Sequence, residues 1–86
     1  MISKNKKIEF LAQFGKRLGE IKREKGMSYR DIDENCDLDF SFISKIQKGK
    51  ENITLETILN LSIGLKIQPK ELFDFLVNLE IDDNKK

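Results

Sequence analysis

The residue types that carry most enzyme chemistry are scarce in this 86-residue chain. It has no histidine and one cysteine, Cys36, so a zinc site built from Cys and His and a disulfide within the chain are both excluded. The usual general-base and nucleophile combinations lack their histidine as well. We therefore expect no metal, no cofactor and no enzymatic activity. Three lysines close in sequence, Lys45, Lys48 and Lys50, could bind an anionic partner or be a solvated surface.

The charge of the chain is divided unevenly along its length. The net charge is only +1, but residues 1–30 carry nine Lys/Arg against three Glu, giving +6, and residues 31–86 carry seven Lys against twelve Asp/Glu, giving −5. Such polarity is typical of a nucleic-acid-binding face opposite an acidic, solvated face. A basic tail and an acidic helix with no partner would give the same pattern, so both interpretations stay open.

Hydrophobic residues that recur every three or four positions predict an all-α fold of five helices. The predicted helices occupy residues 6–25, 29–35 and 40–48, a segment that Thr54 is expected to cap, and a segment that opens with Pro69. Residues 8–81 are expected to form one domain. A flexible basic arm, residues 1–7, precedes it, and a polar tail, residues 82–86, follows it.

The two short central helices begin with recognisable N-caps. Ser28, with Asp31 three positions later, predicts a capping box, and Asp39 predicts the second N-cap. The residues between the helices, 36–38, allow only a tight turn. Two short helices joined in this way form the helix-turn-helix pattern, in which the first helix braces the second against the core.

The apolar residues predict a core and a contact surface. Gly15 and Gly19, four positions apart, would allow another backbone to approach the first helix closely. The residues predicted to face the core are Ile8, Leu11, Phe14, Leu18 and Ile21 in the first helix, Leu55, Ile58, Leu59, Ser62 and Leu65 in the fourth, and Leu72, Phe75, Leu76 and Leu79 in the fifth. A small monomer has no use for a second apolar stripe on the fifth helix, so we expect a symmetric dimer interface there. Its predicted members are Phe73, Val77 and Ile81, completed by Ile63 or Ile67.

The central motif resembles a known family. The residues that carry the resemblance are Gly26-Met27-Ser28, Ile32, Leu38, Asn52, Thr54-Leu55, Glu71-Leu72-Phe73 and, most specifically, the run from Ser41 to Lys50, SFISKIQKGK. Over residues 10–75 the chain resembles the phage-repressor/Cro-like (XRE-type) helix-turn-helix family. The resemblance implies a lambda-repressor-like DNA-binding bundle of five helices that usually binds palindromic operators as a homodimer. Restriction–modification controller proteins and short phage repressors have this size and layout.

The resemblance also implies which residues meet DNA. Those expected at base edges are Asp39, Phe40, Ser41, Ser44 and Lys45. Lys45 can donate to guanine, and Phe40 can pack on a thymine methyl group or, alternatively, beside the helix cap. Those expected at phosphates are Ser28, Tyr29, Lys48, Lys50 and Asn52. Simple packing is the alternative for Tyr29, and a solvated surface is the alternative for the lysines.

The chain departs from the family pattern at four positions of the motif. Tyr29 stands where the family usually has Gln, and Asp33 stands where it has a small, packed Ala. Asp37 replaces the Gly of the turn, and Gln47 replaces a common Glu. A carboxylate buried unpaired at position 33 would be costly. We therefore expect either a basic partner for Asp33, such as Arg30 or an arginine of the first helix, or a slightly splayed helix pair. The acidic residues around the motif would also reduce non-specific affinity for DNA. They are Asp31, Asp33, Glu34, Asp37 and Asp39.

Taken together, these features predict a sequence-specific regulator of transcription that binds double-stranded DNA as a homodimer. We expect it in the cytoplasm, because the N-terminus lacks the apolar segment of a signal peptide and no apolar run approaches the roughly 20 residues of a membrane-spanning helix. The alternative is an antitoxin-like module, in which the second apolar stripe binds a partner protein and DNA binding is secondary.

Overall fold

The computed structural model of the chain describes residues 3–80. Within this range the chain forms four α-helices and one 3₁₀ helix: α1 (Lys4–Glu24), α2 (Tyr29–Asn35), α3 (Phe40–Gln47), α4 (Leu55–Leu65) and the 3₁₀ helix Pro69–Phe73. The all-α class is confirmed, with four α-helices where five were predicted. No helix among residues 3–80 combines the length and the apolar character needed to cross a membrane.

The first helix begins earlier than the hydrophobic pattern indicated. The side chain of Ser3 accepts a hydrogen bond of 3.1 Å from the amide of Lys6, and this N-cap allows the helix to start at Lys4. Residues 4–7, which were assigned to the flexible arm, are helical, and only residues 6 and 7 of these were also included in the predicted helix. Met1 and Ile2 lie outside the described residues, as does the predicted polar tail.

The core lies where all five elements meet. α1 packs against α3 and the 3₁₀ helix, α2 packs against α3 and α4, and α4 packs against the 3₁₀ helix. The buried apolar side chains are Phe14, Leu18 and Ile21 of α1, Ile32 of α2, Ile43 and Ile46 of α3, Leu61 and Leu65 of α4, and Leu72. Burial of each such side chain contributes about 1.5–3 kcal/mol, so this set holds the short central helices in place.

Two glycines allow the helix backbones to approach closely. A Cβ atom at Gly15 would lie 2.7 Å from the carbonyl oxygen of Ile46 and would also overlap that of Gln47, so the end of α3 rests directly on α1. A Cβ atom at Gly64 would lie 2.7 Å from Cγ2 of Ile32, which brings α4 onto α2. The first approach was expected from the spacing of Gly15 and Gly19, and the second was not.

The prediction of the inward face of α4 is wrong for two residues. Leu55 and Leu59 are 73% and 50% exposed. The helix instead buries Thr57, Leu61, Ser62, Gly64 and Leu65. Because Gly64 must face α2 for the close approach, the helix is rotated so that its other apolar stripe points outward.

The predicted fifth helix is replaced by one 3₁₀ helix and, over residues 74–80, a C-terminal segment without regular secondary structure. The backbone of Asp74 leaves the helical region, with φ −82° and ψ 73°. The rings of Phe73 and Phe75 lie 6.5 Å and 5.4 Å from that of Phe10. The amide of Phe75 donates a hydrogen bond of 2.9 Å to the carbonyl oxygen of Phe73, which closes a γ-turn at Asp74. This turn ends the helical path and allows both rings to pack toward Phe10 of α1.

The loss of the fifth helix changes the roles predicted for its apolar residues. Leu76 and Leu79 are 92% and 79% exposed, so their assignment to the core is wrong. The helical stripe predicted as a dimer interface does not form, since the ring of Phe73 lies 5.3 Å from that of Phe14 and Val77 lies outside any helix. Ile81 lies outside the described residues.

Candidate nucleic-acid interface

The N-terminus of α3 is held by two carboxylates. The side chain of Asp39, the N-cap, accepts a hydrogen bond of 3.0 Å from the amide of Ser41, as predicted. Oδ2 of Asp33, on α2, accepts one of 2.9 Å from the amide of Phe40. The first amide groups of α3 therefore have side-chain partners, and the start of the helix is fixed by its own cap and by its neighbour.

The hydrogen bond from Phe40 also corrects both expectations for Asp33. We expected a basic partner for its carboxylate or a splayed helix pair. The half-buried carboxylate instead accepts a backbone N–H of α3, and α2 and α3 pack directly on each other.

The base-edge residues predicted from the resemblance lie along the outer side of α3. Ile43 and Ile46 fix the inner side of the helix in the core. Phe40, Ser41 and Lys45 are exposed, and Ser44 is half-buried. α3 therefore presents an aromatic ring, a hydroxyl group and a cation to solvent within two helical turns.

Asp39 and Ser41 are bonded to each other. The hydroxyl group of Ser41 donates to Oδ2 of Asp39. The hydrogen bonds from the Ser41 side chain and backbone hold the pKa of Asp39 below its ordinary value. Because the hydroxyl hydrogen is used in this way, Ser41 faces a partner as a hydrogen-bond acceptor, and Asp39 offers its other carboxylate oxygen.

Sequence analysis did not predict that Arg30 lies beside Phe40. Arg30, in the first turn of α2, places its guanidinium carbon 4.4 Å from the centroid of the Phe40 ring. Arg30 had been considered only as a partner for Asp33. An arginine ten positions before the first residue of α3 gives no local signal, because only the packing of α2 on α3 brings the two side chains together.

The start of α2 carries the predicted capping box. The amide of Asp31 donates to Oγ of Ser28 at 3.1 Å, and the amide of Ser28 donates to Oδ2 of Asp31 at 2.7 Å. The hydrogen bonds from Ser28 lower the pKa of Asp31. Oγ of Ser28 acts here as an acceptor, so its own hydrogen remains available to a phosphate.

Tyr29 links the start of α2 to the end of α3. Its hydroxyl group donates a hydrogen bond of 2.8 Å to Oε1 of Gln47, and the ammonium nitrogen of Lys22 lies 4.7 Å from the centroid of its ring. For Tyr29 to donate to a phosphate, its hydroxyl hydrogen must leave Gln47. Two of the departures from the family pattern, Tyr29 and Gln47, are thus partners of each other.

The remaining predicted phosphate contacts surround the end of α3. Lys48 is its C-cap, and the left-handed Gly49 that follows, with φ 73°, allows the chain to turn against α1. Lys48, Lys50 and Asn52 are all exposed. The loop that follows α3 therefore exposes two lysines and one asparagine.

A separate apolar surface lies on α4. Leu55, Leu59 and Ile63 are 73%, 50% and 60% exposed, and their spacing of four residues places them on one side of the helix. Ile63 was predicted in a dimer interface, and Leu55 and Leu59 were not. Ile67, also predicted there, is half-buried against the core.

The motif and its geometry are those of a described family. Residues 17–76 match the family model of the Cro/C1-type HTH DNA-binding domain. The chain belongs to this family of DNA-binding domains.

Within the family, the chain is similar to restriction–modification controller proteins. It is 38% identical over 63 residues to the control protein C.BamHI of Bacillus amyloliquefaciens, covering 72% of this chain and 78% of that protein. The crystal structure of the controller protein C.AhdI from Aeromonas hydrophila superposes with a TM-score of 0.70 at 38% identity, covering 73% of this chain and 96% of C.AhdI. The controller protein C.Esp1396I, crystallised as a tetramer in complex with its natural 35 base-pair operator, gives a TM-score of 0.70 at 26% identity, covering 76% and 86%.

Proposed function

We propose that this protein is a sequence-specific transcriptional regulator of the restriction–modification controller type, which binds operator DNA as a homodimer. The observation that carries the proposal is the fixed presentation of α3. Its inner side is buried, its N-terminus is held by Asp33 and Asp39, and its outer side exposes Phe40 and Lys45. A helix held in this way can enter the major groove without rearrangement.

The proposed contacts divide into residues at the start and on the exposed side of α3 and residues at the start of α2 or after the end of α3. Asp39, Phe40, Ser41, Ser44 and Lys45 face base edges, and Lys45 donates to a guanine. Ser28, Tyr29, Lys48, Lys50 and Asn52 contact phosphates and fix the register of the protein on the duplex. This division follows the geometry, since the first group lies along the exposed side of the helix and most of the second lies near its C-terminal end.

We place the dimer interface on α4. Leu55, Leu59 and Ile63 form the exposed apolar stripe of that helix, and C.Esp1396I assembles on its operator as a tetramer. A symmetric contact between two such stripes removes them from water. It would set two recognition helices about 34 Å apart, one turn of DNA. Such a regulator acts in the cytoplasm and requires neither a cofactor nor a catalytic group.

The test is a titration of the purified protein against DNA fragments from upstream of its own coding sequence, at two salt concentrations, with footprinting of any complex. We expect a protected site with two-fold symmetry. We also expect the affinity to fall steeply with salt, because phosphate contacts release counterions. Weak binding without a localised footprint would contradict the proposal and would favour a protein partner, as in the antitoxin-like alternative.

A further inference from the structure

Arg30 and Phe40 form a cation–π pair at the start of the recognition helix. The guanidinium carbon lies 4.4 Å from the centroid of the ring, within the range of about 6 Å over which such pairs attract. Both residues are exposed, so the pair faces solvent. The cation of α2 is thereby placed beside the N-terminal residue of α3.

The position of this pair is fixed by its surroundings. The amide of Phe40 is bonded to Asp33, and the N-cap Asp39 precedes it. The hydrogen bonds from Ser41 are the main cause of the lowered pKa of Asp39, and the positive charge of Arg30 adds a smaller decrease. The ring of Phe40 and the carboxylate of Asp39 therefore both attract the guanidinium group of Arg30, which limits the orientations of its long side chain.

We propose that Arg30 is a specificity-determining residue, which recognises a guanine in each half-site while the Phe40 ring supports its guanidinium group. The inference rests on the proposed function, since it requires α3 to lie in the major groove. N-terminal residues of a recognition helix face base edges, and Arg30 is held next to the first of them. The planar fork of arginine matches O6 and N7 of guanine, which lysine cannot reproduce.

The experiment begins with a selection of duplexes from a random-sequence DNA library by the wild-type protein. The consensus duplex and its single-base-pair variants are then titrated with the wild type, Arg30→Ala and Arg30→Lys. Lys70→Ala is the matched control, because it also removes one exposed cation. Lys70 lies on the 3₁₀ helix, which packs on α1 and α4, and not on the two helices of the motif. Thermal melting monitored by circular dichroism establishes that each variant is folded, as expected for a substitution at an exposed position.

We expect Arg30→Ala to lose roughly ten- to hundredfold of the preference for guanine at one position of each half-site, with the other positions unchanged. Arg30→Lys should keep only part of this preference, because lysine can donate to guanine but lacks the rigid fork of arginine, and it should keep most of the salt dependence. Replacement of that guanine by 7-deazaguanine, which lacks N7, should weaken the wild type but not Arg30→Ala. Phe40→Leu should reduce the same preference, because the guanidinium loses its support.

Two results would overturn the inference and leave the proposed function intact. In one, Arg30→Ala weakens all duplexes equally and lowers the salt dependence, as expected of a phosphate contact. In the other, Arg30→Ala keeps the wild-type preferences. Failure of the wild type to select any consensus would instead refute the proposed function, and the inference with it.

Discussion

The amide of Phe40 donates a hydrogen bond of 2.9 Å to Oδ2 of Asp33, so a side chain of α2 caps α3. Together with Asp39, this places two carboxylates at the N-terminus of the recognition helix, the end where the helix dipole favours negative charge. Asp33 and Asp39, two of the acidic residues around the motif, therefore have a structural role. They hold the helix that carries the proposed contacts.

We expect Asp33→Ala to destabilise the protein by about 1 kcal/mol, the usual effect of removing an N-cap acceptor. Asp33→Asn keeps an acceptor oxygen and should lose less than half of this. Chemical denaturation of the three proteins measures the difference. An unchanged denaturation midpoint in Asp33→Ala would show that the hydrogen bond to Phe40 contributes nothing to stability.

Gly15 and Gly19 should respond very differently to alanine. At Gly15 the added Cβ atom would meet backbone carbonyl oxygens of Ile46 and Gln47, which cannot move without displacing α3. At Gly19 it would meet the end of the flexible Gln47 side chain. We expect Gly15→Ala to cost at least 2 kcal/mol and Gly19→Ala much less, since alanine also favours the helix by about 1 kcal/mol. Equal thermal shifts in the two variants would rule out the close approach of α3 to α1.

Lys45 and Lys50 should affect DNA binding in different ways. Lys45→Ala is expected to relax sequence preference at one base pair by about 1–3 kcal/mol, because Lys45 lies on the exposed side of α3. Lys50→Ala is expected to weaken binding to all sequences and to reduce the salt slope by about 1. Fluorescence anisotropy with the footprinted site and its variants separates the two effects. Identical behaviour of the two variants would refute the division into base and phosphate contacts.

If the dimer interface lies on α4, a charged residue introduced there should dissociate the dimer into single chains. Ile63→Glu should shift the sedimentation mass from that of two chains to that of one, because burial of each such side chain contributes about 1.5–3 kcal/mol and a buried unpaired carboxylate is costly. Leu76→Glu is the matched control, since Leu76 is 92% exposed but lies in the C-terminal segment after the 3₁₀ helix and not on α4. Dissociation by Leu76→Glu alone would move the interface to the C-terminal segment.

The lowered pKa of Asp39 gives stability a defined dependence on pH. Because the folded pKa lies below the ordinary value of 3.8, the contribution is complete above that value. It is lost as the pH falls from 3.8 through the folded pKa. We expect the wild type to be more heat-stable than Asp39→Asn at pH 7, and this advantage to shrink toward pH 3. A difference in melting temperature that stays constant between the two pH values would contradict the assignment.

The features that sequence analysis predicted well are those determined within a few residues. The capping box of Ser28 and Asp31, the N-cap Asp39 and the N-cap Thr54 are all present. Each depends on a side chain that reaches an amide two or three positions away. The helix-turn-helix follows from these caps and from the burial of Ile32 and Ile43, and it could be placed almost to the residue.

The features that sequence analysis missed depend on distant partners. Helical spacing was present in the last segment, but Phe73 and Phe75 both pack toward Phe10, which the local pattern does not contain. Both sides of α4 carry apolar residues, and only the contact of Gly64 with α2 determines which side is buried. Within the candidate site, the hydrogen-bonded pairs Asp33–Phe40 and Tyr29–Gln47 are 7 and 18 residues apart in the sequence. The sequence therefore identified these residues but did not predict which of them are bonded to each other.

The hydrogen bond between Tyr29 and Gln47 provides the protein with an intrinsic optical reporter. The chain has one tyrosine and no tryptophan, so with excitation at wavelengths that phenylalanine does not absorb, its fluorescence comes from Tyr29, the side chain that joins the start of α2 to the end of α3. Any event that loosens or tightens this junction changes the emission of that one residue. DNA binding by the unlabelled, unmodified chain can therefore be followed from within the helix-turn-helix itself.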